Sequence, residues 1–189
     1  IAAHPVEFQT LEQWQADGRG VYVVINDGGD TDATITACRA FFVEWDDRPR
    51  EWQLTAWQEL GLPEPSIQVD TGGKSIHTYW LLTDLVTPAH WALVQSRLLD
   101  FCDADRTIKN PSRVMRLPGT YHVNGTGNHG ASCSIITAAG HRYSIADIEA
   151  CLPDEAHYHH QQQAARHTEH TPRTSDDIRD ALDAIPPAI

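Results

Sequence analysis

The sequence predicts an α/β (α+β) unit over residues 1–152. Three features lead there. Short β-branched apolar runs have strand length, segments with helical apolar spacing alternate with them, and Gly- or Pro-marked turns separate the two. A chain of 189 residues, 41% of them hydrophobic, has enough apolar material for one packed core with a tail. No apolar run approaches the length of about 18 residues that a membrane helix needs. No basic stretch runs into an apolar one near Ile1, so no secretory leader is expected.

The elements follow in order. Thr10 is a plausible N-cap for a short helix carrying Leu11 and Trp14. Val21 to Ile25 reads as a strand running into the turn cluster Asn26-Asp27-Gly28-Gly29-Asp30. Ala40 to Trp45 is a second buried strand with acids at its end. Arg50 to Leu60 has apolar residues at 52, 54, 57 and 60, a helical spacing, and Gly61 with Pro63 ends it. Ser66–Val69 and Ile76–Leu82 read as two strands joined through Asp70-Thr71-Gly72-Gly73. Thr87-Pro88 is an N-cap followed by proline at the first helical position, and the helix runs to about Phe101. Ser132 to Ile136 and the neighbourhood of Tyr143 read as short strands. Ser144-x-x-Asp147 has the form of a capping box opening a helix to Cys151. Beyond that, His157-Tyr158-His159-His160-Gln161-Gln162-Gln163 breaks all apolar periodicity, so 153–174 reads as a flexible linker. Residues 175–189 read as the start of a truncated C-terminal helical domain.

Charge is unevenly placed. The net charge of −12 argues against a nucleic-acid partner at first. Residues 1–105 carry −11 and 147–189 carry −6, whereas 106–146 carry +5 with no acid at all. A basic segment of that kind forms a local anion site or a solvated face. Cys38, Cys102, Cys133 and Cys151 are widely spaced, with no C-x-x-C pair, which favours a reducing cytoplasm over a disulfide scaffold.

Three segments carry chemistry. Glu44 and Asp46 are two apart, so on an extended chain both carboxylates share one face, where oxygen donors suit Mg²⁺ or Mn²⁺. The alternative is that Asp46 or Asp47 caps the helix from residue 50. In Thr71-Gly72-Gly73-Lys74-Ser75-Ile76-His77, glycines allow close backbone approach to phosphate, and Lys74, Ser75 and His77 are donors. The Walker A spacing is missing, and a plain hairpin turn is the alternative. Asp105 precedes a basic run, Arg106 to Gly119, in which Arg113 and Arg116 have the planar forks that grip phosphate. A solvated surface loop is the alternative there.

In combination these motifs resemble the archaeo-eukaryotic primase superfamily, and within it the primase-polymerase (PrimPol) branch of mobile elements and phages. The likeness spans about residues 20–145. It rests on the acidic pair Glu44-Trp45-Asp46, on Ser75-Ile76-His77, and on Asp105 followed by Arg113-Val114-Met115-Arg116-Leu117-Pro118-Gly119. The resemblance implies a mixed-sheet catalytic core with flanking helices and a two-metal DNA primase or polymerase. It implies that Glu44, Asp46 and Asp105 are catalytic and hold Mg²⁺ or Mn²⁺, and that Lys74, Ser75, His77, Arg113 and Arg116 bind the nucleotide. Nucleoside triphosphates, single-stranded DNA template and primer are the implied partners, with a helicase or helical C-terminal domain beyond and no membrane. Glu44 departs from the commoner Asp, Asp47 competes for the ligand assignment, and Asp103 is a rival to Asp105. The alternatives from other classes are a non-catalytic DNA-binding replication initiator and a metal-dependent nuclease.

Other groupings are weaker. His157 to His160 superficially resembles the histidines of rolling-circle nickases but sits in the glutamine-rich segment. His122, His129, Cys133 and His141 match no familiar zinc spacing, and the glycines at 125, 127 and 130 suggest a flexible loop. Asn26 with Gly28-Gly29 is read as a simple turn. Tyr121 is a candidate for base stacking, and Trp80 for the core.

Overall fold

The computed structural model describes residues 7–123 and 129–154. The chain divides after Leu152 into two compact units, and the first, Ile1–Leu152, is the one considered below. Apart from Pro153 and Asp154, the expected linker and C-terminal helical segment lie outside the described residues.

The elements in chain order are α1 (Phe8–Ala16), β1 (Tyr22–Val24), β2 (Asp27–Gly28), β3 (Ile35–Val43), α2 (Arg50–Glu59), β4 (Ile67–Asp70) and β5 (Ile76–Val86). They continue with α3 (Pro88–Phe101), β6 (Val114–Arg116), β7 (Tyr121–Val123), β8 (His129–Ser132), β9 (Ser134–Ala138), β10 (Arg142–Tyr143) and α4 (Ile145–Glu149). The main sheet has the order β2-β3-β5-β4-β9, all neighbours antiparallel, and β10 pairs with β5 in parallel. It is thus the mixed sheet, with flanking helices, that the sequence reading expected. Two small antiparallel pairs, β1–β6 and β7–β8, stand beside it.

β5 is the hub because it is long enough to pair with three strands. β3 lies along one edge, while β4 meets Ile76–Tyr79 and β10 meets Leu81–Leu82. α3 covers β3 with Trp91, Val94, Gln95, Leu98 and Leu99, a helical i, i+3, i+4, i+7, i+8 stripe that is buried throughout. Trp91 stacks on Phe41 at 6.1 Å between centroids. Thr87 caps α3 by accepting from the His90 N–H, and Pro88 occupies its first turn. At α4 the Ser144–Asp147 capping box closes in both directions. Trp80 is a core residue at 1% exposure, and Tyr121 is exposed.

Several expectations shift. α1 starts at Phe8 with Glu7 at its cap, so Thr10 lies inside the helix and caps nothing. Its first turn faces solvent, and exposed N–H groups need no side-chain partner. α2 begins after Pro49 with no side-chain cap, so neither Asp46 nor Asp47 serves that role. β3 starts five residues before Ala40, and Asn26 is a tertiary staple. It donates to the Pro111 carbonyl at 2.9 Å and accepts from the Arg39 N–H at 3.0 Å. The two- and three-residue strands β2, β6 and β7 lie in segments read as turns or loops, because runs that short carry no periodicity.

Candidate active site

The register of β3 on β5 builds the site. Phe42 faces Tyr79 and Val43 faces Thr78. Carried past the end of β3, the same register sets Glu44 opposite His77 and Asp46 opposite Ser75. The side chains meet as that predicts: His77 Nε2 lies 2.9 Å from Glu44 Oε2, and the Ser75 hydroxyl donates to Asp46 Oδ1 at 2.5 Å. Phe42 turns its peptide groups away from β5. Its N–H reaches Gln95 Oε1 at 3.4 Å, and its carbonyl accepts from Gln95 Nε2 at 2.7 Å. Phe42–Tyr79, Glu44–His77 and Asp46–Ser75 therefore belong to the non-hydrogen-bonded pairs of an antiparallel ladder, in which side chains approach most closely.

The outer edge of β3 also positions Asp105. The Asp105 N–H donates to the Glu44 carbonyl at 3.0 Å, Trp45 Nε1 donates to the Cys102 carbonyl at 3.0 Å, and Gln95 Nε2 reaches the Ile108 carbonyl at 3.5 Å. The Asp105 backbone is thus fixed beside Glu44. Its carboxylate turns to Thr107, accepting from both N–H and hydroxyl at 2.8 Å and capping a short 3₁₀ turn. Its rival Asp103 lies at the exposed surface, paired with Arg48 and Arg106.

A cleft of about 400 Å³ gathers the other motif residues: Glu44, Asp46, Lys74, Ser75, His77, Arg113 and Arg116 all line it. That volume suits a nucleotide-sized ligand. Asp105 and Asp47 do not line it. Tyr22, Thr71, Gly73, Val114, Met115 and His122 complete the lining.

The turn between β4 and β5 is held by its own side chains. Asp70 accepts from the Gly72 N–H and Thr71 Oγ1 from the Gly73 N–H, at 2.8 and 3.3 Å. Those glycine amides are engaged, so the turn offers the cleft Lys74, Ser75 and His77 rather than a cradle of free N–H groups. α2 pins it further, through Arg50 on Asp70 and the Gly73 carbonyl and through Gln53 on Ile76 and Lys74.

The basic residues arrive from β6 and the loop before it. Arg116 sits opposite Tyr22 on β1, its guanidinium 4.8 Å over the ring and its Nη2 donating to the hydroxyl at 3.0 Å. Arg116 Nη1 is buried with no hydrogen-bond partner, and so is His122 Nδ1 beside Gly73. The loop carrying Arg113 is clamped by Asp32, which accepts from the Ser112 hydroxyl and N–H and from Asn110. The hydrogen bonds from Ser112 hold the Asp32 carboxyl below its ordinary value.

Sequence reasoning weighed His122 only as a zinc ligand and did not weigh Tyr22 at all. Tyr22 left no signal beyond a strand pattern, since its place depends on β1 pairing with β6. Carboxylate oxygens are the donors hard divalent cations take, and Glu44 and Asp46 fit that chemistry on one wall of the cleft. Among the described residues no three His, Cys, Asp or Glu gather as a metal-binding cluster, and the Asp105 carboxylate is turned to Thr107. Among them, too, no helix is long and apolar enough to cross a membrane.

No family model matches the chain, and no curated protein sequence is similar to it. Solved structures are. The archaeo-eukaryotic primase (AEP) domain of the cyanophage S-2L primase-polymerase is 42% identical, with a TM-score of 0.73 over 79% of this chain and 78% of that one. Primase RepB′ is 19% identical, with a TM-score of 0.57 over 90% of this chain and 56% of that one. The catalytic domain of RepB′ in complex with initiator DNA is 18% identical, with a TM-score of 0.55 over 86% and 76%. At these identities the likeness to RepB′ speaks for the fold alone.

Proposed function

This chain belongs to the primase-polymerase branch of the archaeo-eukaryotic primases, and on that premise we propose that it performs template-directed nucleotidyl transfer on DNA, as a primase, a polymerase or both. The observation that carries the reading is the convergence of Glu44, Asp46, Ser75, His77, Lys74, Arg113 and Arg116 on one cleft.

The division of labour follows from charge. Glu44 and Asp46, joined by Asp105 as the family resemblance implies, would hold divalent Mg²⁺ or Mn²⁺. Such ions, when bound, supply positive charge at the attacking 3′-oxygen and the departing pyrophosphate. The protein's own contribution is to place donors around a triphosphate. Ser75 and His77 contact Asp46 and Glu44, and their hydroxyl and imidazole N–H are donors that phosphate oxygens also take. Lys74 is exposed at the rim and Arg113 is half-buried, so both can follow an entering anion. Arg116 is fixed on Tyr22, with Nη1 buried and unpartnered, which makes it a preorganised donor whose charge needs no reorganisation. A loosely bonded phosphoryl transition state asks for little more than such positioning and charge.

The DNA partner is proposed from the primase-polymerase likeness, and the RepB′ domain solved with initiator DNA shares the fold. With a net charge of −12, this chain would bind template weakly and lose it steeply with salt. A helicase or helical domain in the same replication system, a mobile-element or phage replicon, and a cytoplasmic location remain part of the proposal.

The test is primer extension, and primer synthesis on single-stranded template, with Mg²⁺ or Mn²⁺. Wild type is compared with Asp46→Ala and Asp105→Ala, each first checked for folding. Extension that requires template and triphosphates and disappears in both variants is expected. Strand cleavage without triphosphates would instead make the site a nuclease. DNA binding unaffected by metal removal, with no synthesis, would make it an initiator.

A further inference from the structure

His77 and Tyr79 alternate along β5 and share one face of it, and Ser75 stands two residues before His77, just ahead of the strand. Tyr79 is the last of the three, 5% exposed, with its ring edge-on to Phe42 at 6.2 Å. A phenylalanine would serve that packing. The hydroxyl is a buried polar group, and buried polar groups need partners. Its partner is His77 Nδ1, at 3.2 Å. The other ring nitrogen of His77 meets Glu44 Oε2 at 2.9 Å. A buried file therefore runs from Tyr79 through the imidazole to a carboxylate in the cleft.

We propose that Tyr79 is a positioning residue: its hydroxyl donates to His77 Nδ1, leaves the ring proton on Nε2, and keeps that N–H aimed into the cleft. The assignment of the cleft to nucleotidyl transfer rests on the reading above, but the positioning itself does not. A carboxylate accepts only, so Glu44 by itself also favours a proton on Nε2. The two constraints separate when Glu44 is engaged elsewhere. Tyr79 is then the partner that still fixes the tautomer, and His77 continues to present a donor to an anion. Burial, with Glu44 near it, pushes the Tyr79 phenol above its ordinary range, so it stays protonated and able to donate. Metal ligands often have such an outer partner that sets ring orientation, and here the partner serves a donor to substrate.

Two readouts test this. In the first, the imidazole nitrogens of ¹⁵N-histidine-labelled protein are observed by NMR, with the His77 signals identified by their loss in His77→Asn. In Glu44→Ala, the ring is expected to keep its proton on Nε2. In Glu44→Ala/Tyr79→Phe, the Nδ1–H form is expected to appear. A ring that already takes up the Nδ1–H form in Glu44→Ala overturns the proposal, as does a double variant that remains wholly in the Nε2–H form. In the second readout, Tyr79→Phe with Glu44 intact is expected to raise KM for the incoming nucleotide by roughly 10-fold, the worth of one well-placed hydrogen bond, while kcat moves less than about threefold. An unchanged KM, or equal loss in both parameters, refutes a positioning role. Wild-type protein without synthesis would sink the functional reading and leave the NMR test intact.

Discussion

Gln95 is fully buried on α3, and both ends of its amide are spent on the outer edge of β3. β2 is too short to pair with β3 as far as Phe42, so this side chain stands in for a neighbouring strand. Replacing Gln95 with Met keeps length and approximate volume but leaves the Phe42 N–H and C=O buried without partners. Each unsatisfied buried group costs about 1–3 kcal/mol. The 2.7 Å bond to the carbonyl should cost toward the top of that range and the 3.4 Å bond to the N–H toward the bottom. Together they amount to about 4 kcal/mol, which for a domain of this size lowers the melting midpoint by roughly 8–16 °C. The assay is urea and thermal unfolding of Gln95→Met beside wild type, followed by circular dichroism. Gln95→Glu supplies the control: a carboxylate still accepts from the N–H but opposes the carbonyl, so it should be at least as unstable. A midpoint within about 2 °C of wild type for Gln95→Met would falsify the claim that this amide completes the sheet.

Gly72 has φ +71, and a Cβ there would come within 2.3 Å of the Ala131 carbonyl oxygen. Gly72→Ala should therefore lose about 2 kcal/mol or more in urea unfolding, whereas Gly61→Ala, at φ +68 with open space around it, should lose only the backbone part of about 1 kcal/mol. Equal losses would contradict the close contact. Asp32 is held below its ordinary value of 3.8 by the Ser112 hydroxyl. Its contribution to stability is full above about pH 4, near the unfolded value, and is lost as pH falls through the folded one. The Tm gap between wild type and Asp32→Asn should hold steady from about pH 7 to 5 and narrow below about pH 4. A gap that persists undiminished to about pH 2 would remove Asp32 as the acid-labile clamp of the Arg113 loop.

The longer elements were legible because their patterns are local. Thr87-Pro88 and the stripe from Trp91 to Leu99 define α3 without reference to the rest of the chain, as Ser144 with Asp147 defines the start of α4. Thr10 has the form of a cap, yet α1 starts two residues before it, because an exposed first turn does without one. β6 and β7 escaped because three residues carry no period, and the pairing of β6 with β1 is non-local. The same holds within the site. Glu44 with Asp46, and Ser75 with His77, could be read as pairs sharing a face. Nothing in the residues themselves said that the two pairs would stand opposite one another.

The order of residues along the chain sets which side chains are available: two carboxylates two residues apart, a Lys-Ser-x-His run after a glycine turn, and two arginines three apart. These are local facts of spacing and chemistry. Tertiary structure decided which of them meet. The β3–β5 register sets Glu44 on His77 and Asp46 on Ser75, and the pairing of β1 with β6 brings Tyr22 under Arg116. The outward-facing carbonyl of Glu44 draws in the Asp105 backbone while Thr107 takes its carboxylate. Register and edge satisfaction depend on hydrogen bonds between residues far apart in the chain, such as the Leu117 N–H to the Val21 carbonyl and Arg116 to Tyr22, the latter 94 positions apart. No window along the chain contains both partners.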